Sequence, residues 1–236
     1  MPPVTKNLII INFLVWIVMM VFPARTGDRL MEVCALHYFE APDFNPAQLF
    51  TYMFMHSTGS LTHILFNMFS LFMFGIVLER LLGAKRFLFY YVSCGVGAAL
   101  IQEGVWALTL ENMIVDRLAV MNHTSADLMR TYLSTMPGQM AANLNFFTTV
   151  GASGAIYGIL LAFGMLFPNR PLYLMFIPVP VKAKWMIVGF VVFELLIGIS
   201  TANDGVAHFA HLGGMLVGFL MLLYWKKRGV VNGPYY

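Results

Sequence analysis

The chain has 236 residues, of which 59% are hydrophobic and only 11% are charged, and its mean hydropathy is +0.75. A soluble domain carries about 25% charged residues, so this composition excludes a soluble globular protein, and the high hydrophobicity excludes a disordered one. The net charge of +3 is small and the 14 basic residues form no groove-sized patch, so we expect no nucleic-acid partner. The composition predicts an all-α, multi-pass membrane protein.

Membrane-spanning helices are predicted from the apolar stretches, because a helix needs about 20 mostly apolar residues to cross a bilayer. Six stretches approach or meet this length: 7–22, 61–81, 87–110, 146–167, 185–200 and 206–225. The first could also be a signal peptide, but residues 21–26 offer no clear small-x-small cleavage site. We therefore expect six spans, the first of them uncleaved.

The basic residues predict the orientation of these spans. If the six spans alternate, ten of the 14 basic residues lie on one side, which the positive-inside rule identifies as cytoplasmic. Both termini are then cytoplasmic. On the opposite side lie two longer segments: residues 23–60, interpreted as a partly embedded aromatic loop, and residues 111–145, interpreted as a solvated connector with spacings that suit a surface helix.

Polar and ionisable residues inside membrane spans are costly and are therefore candidates for function. His63 and Asn67 lie four residues apart in the second span and share one helix face. Ser153 lies in a glycine-rich part of the fourth span, and His208 and His211 lie in the sixth. All three spans enter from the non-cytoplasmic side in the predicted topology.

The depths of these residues are predicted to match. At 1.5 Å per residue, Ser153 lies about 10 Å below residue 146 and His211 about 8 Å below residue 206. Each is followed by a pair of glycines in a small-x-x-x-small pattern, which lets helices pack closely. These pairs are Gly154 with Gly158 and Gly214 with Gly218. We expect this packing to bring the serine hydroxyl against the imidazole.

A serine becomes an effective nucleophile when a positioned base takes its proton, and histidine suits that task near neutral pH. Ser153 and His211 therefore predict a Ser–His dyad for acyl transfer. The oxyanion that forms in such a reaction needs fixed hydrogen-bond donors, which His63, Asn67 and the backbone N–H of Ser153 can supply. Tyr157, one turn after the serine, is expected to stack on the imidazole.

No acidic residue in or beside the predicted spans is assigned a catalytic role. Glu103 and Glu194, in the third and fifth spans, are assigned no chemistry. Asp204 precedes His211 by two turns and could orient it, but a dyad is the simpler interpretation. His208 is interpreted as a histidine at the cavity rim, satisfied by water or by Asp204.

Four motifs occur in order along the chain: His63-x-x-x-Asn67, Gly75-x-x-x-Glu79-x-x-x-Gly83, Gly151-x-Ser153-Gly154 and His211-x-x-Gly214-x-x-x-Gly218. With them, residues 47–227 resemble the rhomboid intramembrane serine proteases, in the minimal six-helix form of bacterial type. The resemblance implies a single rhomboid-like membrane domain over residues 1–236, built as a six-helix bundle with a water-filled cavity open to the non-cytoplasmic side.

The resemblance also implies roles for individual residues. Ser153 would be the nucleophile, His211 the general base and Tyr157 the residue that stacks on it. The residues of the oxyanion hole or of substrate binding would be His63, Asn67 and Gly151. The implied substrates are single-pass membrane proteins, cut in or near their transmembrane segments without metal or cofactor. The implied location is the bacterial inner membrane.

Three other functions are weighed against this one. A catalytically inactive rhomboid relative would bind membrane clients, but such relatives usually lose the serine or the histidine. An intramembrane metalloprotease would use His63, His208 and His211 as ligands, but the HExxH motif is absent. A transporter would lead us to expect inverted repeats and broken helices, and the sequence shows neither.

Overall fold

The fold comes from a computed structural model that describes residues 1–22, 27–173, 179–200 and 207–235. The helices are α1 (Pro3–Val21), α2 (Asp28–Cys34), α3 (Gln48–Thr51), α4 (Leu61–Ser70), α5 (Ile76–Leu82), α6 (Ala84–Met121), α7 (Ala126–Thr135), α8 (Pro137–Leu144), α9 (Ser153–Leu166), α10 (Ala183–Ile199) and α11 (His208–Lys227). A π-helical turn, Leu71–Gly75, joins α4 to α5. A short 3₁₀ helix, Tyr52–Phe54, follows α3. The described strands form two short antiparallel pairs: β1 (Leu36–His37) with β2 (Thr148–Thr149), and β3 (Pro171–Leu172) with β4 (Val181–Lys182).

The architecture is an all-α membrane bundle, as the composition predicts. Four of the described helical stretches are long and apolar enough to cross a bilayer: α1, Leu61–Leu82, α6 and α11. Helix α9 is apolar but has only 14 residues, and α10 has 17. Large apolar side chains such as Leu14, Phe193 and Leu220 point outward, where lipid would cover them. The count of six spans stays a prediction.

Helices α6, α9 and α11 pack against one another at the centre of the bundle, and α10 packs against α9 and α11. The contact between α9 and α11 depends on Gly214, because a side chain there would collide with the backbone carbonyl of Gly154. The predicted close packing of the two glycine-bearing helices is confirmed. Its consequence is that the first turns of α9 and α11 lie side by side.

The N-terminal helix is fixed to the bundle by Glu79, which lies in α5. The Glu79 carboxylate accepts hydrogen bonds from the backbone N–H groups of Val4 and Thr5 and from the Thr5 hydroxyl, at 2.7–2.9 Å. These N–H groups lie in the first turn of α1 and have no acceptor within the helix. The glutamate of the second sequence motif is therefore a structural anchor for α1.

Residues 111–145 differ from the predicted connector. Helix α6 has 38 residues and is about 57 Å long, so it extends well beyond a hydrocarbon core of about 30 Å. Helices α7 and α8 follow, and four buried side chains form a small core of their own: Val115, Ala119, Met129 and Leu133. Asp127 and Arg130, whose spacing is one of those that suit a surface helix, lie in α7, so a helix is confirmed at this place. The segment is folded, because its apolar residues recur at helical spacing between its charges.

The predicted start of the fourth span is also wrong. Residue 146 is not helical, Thr148–Thr149 pairs with β1, and α9 begins only at Ser153. Gly151 has a φ of +125°, which no regular helix contains. The estimate that Ser153 lies about 10 Å down a helix from residue 146 therefore fails, because a helical rise was applied to an extended segment. The proline-bounded, apolar segment 171–181 between the fourth and fifth stretches begins and ends in the β3–β4 pair, and residues 174–178 lie outside the described residues.

Candidate active site

A cavity of about 1330 Å³ lies at the end of the bundle where α9 and α11 begin. Five of the six site residues predicted from the sequence line it: His63, Asn67, Ser153, Tyr157 and His211. They come from α4, α9 and α11, the three elements on which they were predicted to converge. Asp116 and Arg117, in the extension of α6, also line the cavity.

Ser153 and His211 are in direct contact. The Nε2 atom of His211 lies 2.8 Å from the Ser153 hydroxyl oxygen, which is hydrogen-bonding distance. Ser153 is the first residue of α9, and His211 lies in the first turn of α11. Since Gly214 lets the two helices approach closely, side chains of ordinary length meet across the gap. The arrangement can transfer a proton from the serine to the imidazole.

Tyr157 holds the His211 ring from one side. The two rings are nearly parallel, with an angle of 8° between their planes and 4.2 Å between their centroids. Tyr157 is one helical turn after Ser153, so the same helix supplies the hydroxyl and the stacking ring. Its own hydroxyl donates a hydrogen bond to Glu194 of α10. The imidazole is thus restricted in rotation.

Three residues with hydrogen-bond donors line the cavity: His63, Asn67 and Ser153. The backbone N–H of Ser153 belongs to the first turn of α9 and has no acceptor within that helix. His63 accepts a hydrogen bond at Nδ1 from the backbone N–H of Ser57, at 3.3 Å, so its neutral ring carries the proton on Nε2. Asn67 donates one amide hydrogen to the carbonyl of His63 at 2.8 Å and keeps a second hydrogen for another acceptor.

Gly151 makes room for the His63 ring. A Cβ atom at this position would lie 2.9 Å from His63 Nε2, and the φ of +125° would strain any residue with a side chain. The N–H of Gly151 donates to the carbonyl of Tyr52 at 3.0 Å, so it is already used within the protein. Gly151 therefore shapes the site sterically, whereas its N–H is not directed at a ligand.

Glu194 is the residue of this site to which the sequence interpretation gave no chemistry. It is buried, with only 2% of its surface exposed, and its Oε2 atom lies 3.1 Å from His211 Nδ1 and 2.6 Å from His208 Nδ1. The signal was present, because an acidic residue inside an apolar span is a functional candidate. The sequence does not show which side of α10 faces α11.

His208 lines the same cavity and is 7% exposed, and Glu194 is its carboxylate partner among the described residues. Asp204, which the sequence suggested as its partner, lies outside the described residues. The position of His208 at the rim of the cavity stays a prediction. The side chains of Glu194, His208 and His211 also have ligand atoms within 4.8 Å of one another, so this set could hold a metal ion. It differs from the ligand set considered from the sequence, which had His63 in place of Glu194.

His56 supports the site from the loop that precedes α4. Its ring lies 5.1 Å from the ring of His63, centroid to centroid, and is fully buried. Burial, together with the neighbouring His63, lowers the pKa of His56 to about 3. His56 is therefore neutral at physiological pH and packs behind His63 without adding a charge.

Comparison with known proteins places this site in context. Residues 44–228 match the Rhomboid domain family. The chain is 29% identical over 178 residues to Rhomboid protease AarA of Providencia stuartii, covering 72% of this chain and 52% of that protein. It is 29% identical over 176 residues to Putative rhomboid protease YdcA of Bacillus subtilis, covering 74% of this chain and 64% of that protein.

A mitochondrial relative also matches. Rhomboid protein 1, mitochondrial, of Saccharomyces cerevisiae is 28% identical over 165 residues, which are 70% of this chain and 38% of that protein. The chain thus spans less than two thirds of the length of each of these relatives. The family match itself covers well over half of the chain and includes every predicted site residue. This integral membrane protein belongs to the rhomboid family.

Proposed function

We propose that this protein is an intramembrane serine endopeptidase that cleaves the transmembrane segments of single-pass membrane proteins. The observation that carries the proposal is the 2.8 Å contact between the Ser153 hydroxyl and His211 Nε2 on the wall of a large cavity. A serine in contact with a histidine of fixed orientation is the arrangement that nucleophilic acyl transfer requires. The relatives named as rhomboid proteases support the same activity.

In the proposed reaction, Ser153 Oγ forms a bond to the scissile carbonyl carbon while His211 Nε2 takes the hydroxyl proton. The protonated imidazole then gives this proton to the amide nitrogen as the peptide C–N bond breaks, and an acyl-enzyme on Ser153 remains. A water molecule, deprotonated by His211, attacks the acyl carbon. The new carboxyl product leaves, and Ser153 recovers its proton.

The negative charge on the carbonyl oxygen would be stabilised by three donors: the Nε2–H of His63, the second amide hydrogen of Asn67 and the backbone N–H of Ser153. The three residues line the same cavity, and hydrogen bonds within the protein hold the His63 and Asn67 side chains before substrate arrives, so little reorganisation is needed during the reaction. The steric role of Gly151 is to let the His63 ring reach this position.

The proposed enzyme is one domain over residues 1–236 in the inner membrane of a bacterium, with both termini in the cytoplasm. The attachment of α1 to Glu79 supports the inclusion of residues that precede the family match. The cavity supports a polypeptide substrate, because its volume exceeds the roughly 300–1,000 Å³ of a small-molecule site. The proposed partners are therefore single-pass membrane proteins and the surrounding bilayer.

Alanine variants test the dyad. Ser153→Ala and His211→Ala are each expected to reduce cleavage of a transmembrane substrate in detergent or liposomes by at least about 10⁴-fold, because each removes an essential part of one proton-transfer unit. The double variant should be hardly worse than either single variant. Losses that multiply in the double variant would contradict a shared dyad.

A metal-dependent protease is the second candidate, because Glu194, His208 and His211 could hold a metal ion. In that case the same imidazole would bind metal instead of activating Ser153. Treatment with a strong chelator separates the two functions. A serine protease keeps its rate after chelation, whereas a metalloprotease loses it and recovers it on addition of Zn²⁺.

A further inference from the structure

We propose that Glu194 is a positioning residue for His211, so that the catalytic unit of this protein is a Ser153–His211–Glu194 triad. The catalytic part of this inference rests on the proposed function. Glu194 comes from α10, a helix that contributes neither the nucleophile nor the base. Its carboxylate nevertheless lies on the side of the His211 ring opposite Ser153, where the third group of a serine-hydrolase triad acts.

The two nitrogens of His211 face different partners. Nε2 lies 2.8 Å from the Ser153 hydroxyl, and Nδ1 lies 3.1 Å from Glu194 Oε2. Nδ1 makes no hydrogen bond of regular geometry in the described structure, but the negative charge of Glu194 beside it favours the tautomer with the proton on Nδ1 through electrostatic attraction. Nε2 is then the unprotonated nitrogen, which is the form that can take a proton from serine. The contact with Glu194 therefore favours the Nδ1–H tautomer, which is the form that the reaction needs.

Glu194 is itself held in place from two helices. Its Oε1 accepts the hydroxyl of Tyr157 in α9, and its Oε2 lies 2.6 Å from Nδ1 of His208 in α11. A buried carboxylate is costly unless such partners satisfy it, and these two are available only in the folded bundle. Tyr157 thus stacks directly on the His211 ring, and its hydroxyl holds the carboxylate that lies beside that ring.

The carboxylate also has a role after proton transfer. When His211 has taken the serine proton, the ring is an imidazolium, and the adjacent negative charge of Glu194 stabilises it. This stabilisation is larger in the protein interior than in water, because the effective dielectric constant is lower there. An interaction that strengthens as charge develops lowers the barrier of the chemical step and leaves substrate binding nearly unchanged.

The test compares Glu194→Gln, Glu194→Asp and wild type, with Glu103→Gln as matched control. Glu103 is also a buried glutamate in a membrane helix, but its carboxylate accepts the backbone N–H of Phe39, away from the dyad. We expect Glu194→Gln to lower kcat by about 10²-fold, within the range of general-base catalysis, and to change KM by less than about threefold. Glu194→Asp should recover part of kcat, and Glu103→Gln should keep the wild-type rate.

A second measurement reports the tautomer without substrate. ¹⁵N NMR of histidine-labelled protein in micelles, with the His211 signals assigned by their loss in His211→Ala, should show the Nδ1–H form in wild type and a growing Nε2–H form in Glu194→Gln. Full kcat and an unchanged tautomer in Glu194→Gln would overturn the triad while leaving the proposed protease intact. A loss of kcat matched by an equal loss of folded protein, with the tautomer unchanged, would also overturn it. Cleavage that persists in Ser153→Ala would instead refute the proposed function.

Discussion

Among the proposed oxyanion donors, Asn67 is the side chain whose contribution can be isolated most cleanly. One hydrogen of its amide is bonded to the carbonyl one turn earlier, which leaves the other for the developing charge. The loss of one such donor typically costs about 10²–10³ in rate. We expect Asn67→Ala to lower kcat by about 10²-fold and to raise KM by less than about threefold, measured with a cleavable transmembrane substrate.

The control for this substitution is Asn122→Ala. Asn122 makes the same bond to the carbonyl four residues earlier, at 2.8 Å, but lies at the end of α6 away from the dyad. This variant should keep the wild-type kcat and KM. If Asn67→Ala changes KM alone, Asn67 belongs to substrate binding or packing and not to the oxyanion hole.

Single residues also mark the limit of the sequence interpretation. His63, Asn67, Ser153, Tyr157 and His211 were identifiable because each is polar or aromatic at a helical position that pairs with another motif. Glu194 was identifiable only as a polar residue inside an apolar span and not as a partner of His211, since an isolated glutamate carries no spacing that relates it to a histidine on a different helix. Only the rotation of α10 about its axis decides whether that carboxylate faces lipid or imidazole, and apolar residues surround it on all sides in the sequence.

At the level of helices, the approach of α9 to α11 brings Ser153 and His211, the proposed dyad, into contact. A side chain at Gly214 would collide with the backbone carbonyl of Gly154, which cannot move without displacing α9. We expect Gly214→Ala to lower the midpoint of thermal unfolding by about 3–10 °C, which corresponds to an overpacking cost of about 1–3 kcal/mol. Cleavage should fall by more than tenfold, since the serine and the imidazole move apart.

Gly104→Ala is the matched control for the helix packing. Gly104 also lies within a membrane helix, α6, but nothing in the described structure lies within 4 Å of a Cβ atom placed there. This variant should unfold at or above the wild-type temperature, because alanine is the better helix former. Equal destabilisation by the two substitutions would show that the loss of glycine, and not the helix contact, is responsible.

Helix boundaries were harder to predict than helix contacts. The glycine motifs of α9 and α11 predicted their close packing, because small residues have one dominant use in membrane helices. The start of α9 was misplaced because Phe146, Phe147 and the residues up to Gly151 are as apolar as a helix interior. Hydropathy cannot distinguish such a segment from a span. The structure shows that the segment is extended because Thr148–Thr149 pairs with β1, and that it ends at Gly151, which has a positive φ. Hydropathy contains neither feature.

For the whole molecule, the distribution of basic residues predicts that α7 and the C-terminus lie on opposite sides of the membrane. Single cysteines test this in a Cys34→Ser background, because Cys94 is buried and unreactive. A membrane-impermeant maleimide applied to intact cells should label Thr135→Cys, which is exposed in α7, and should leave the exposed Asn232→Cys unlabelled until the cells are lysed. Labelling of Asn232→Cys in intact cells would contradict the predicted orientation.

The central claim, that His211 activates Ser153 as a nucleophile, is tested most directly by reaction with a fluorophosphonate serine probe in detergent, followed by mapping of the modified residue. The probe needs no knowledge of the natural substrate, because it reports only an activated serine. We predict a single covalent adduct on Ser153, with labelling abolished in both Ser153→Ala and His211→Ala while these variants remain folded. An adduct on another residue, or undiminished labelling of His211→Ala, would contradict the dyad.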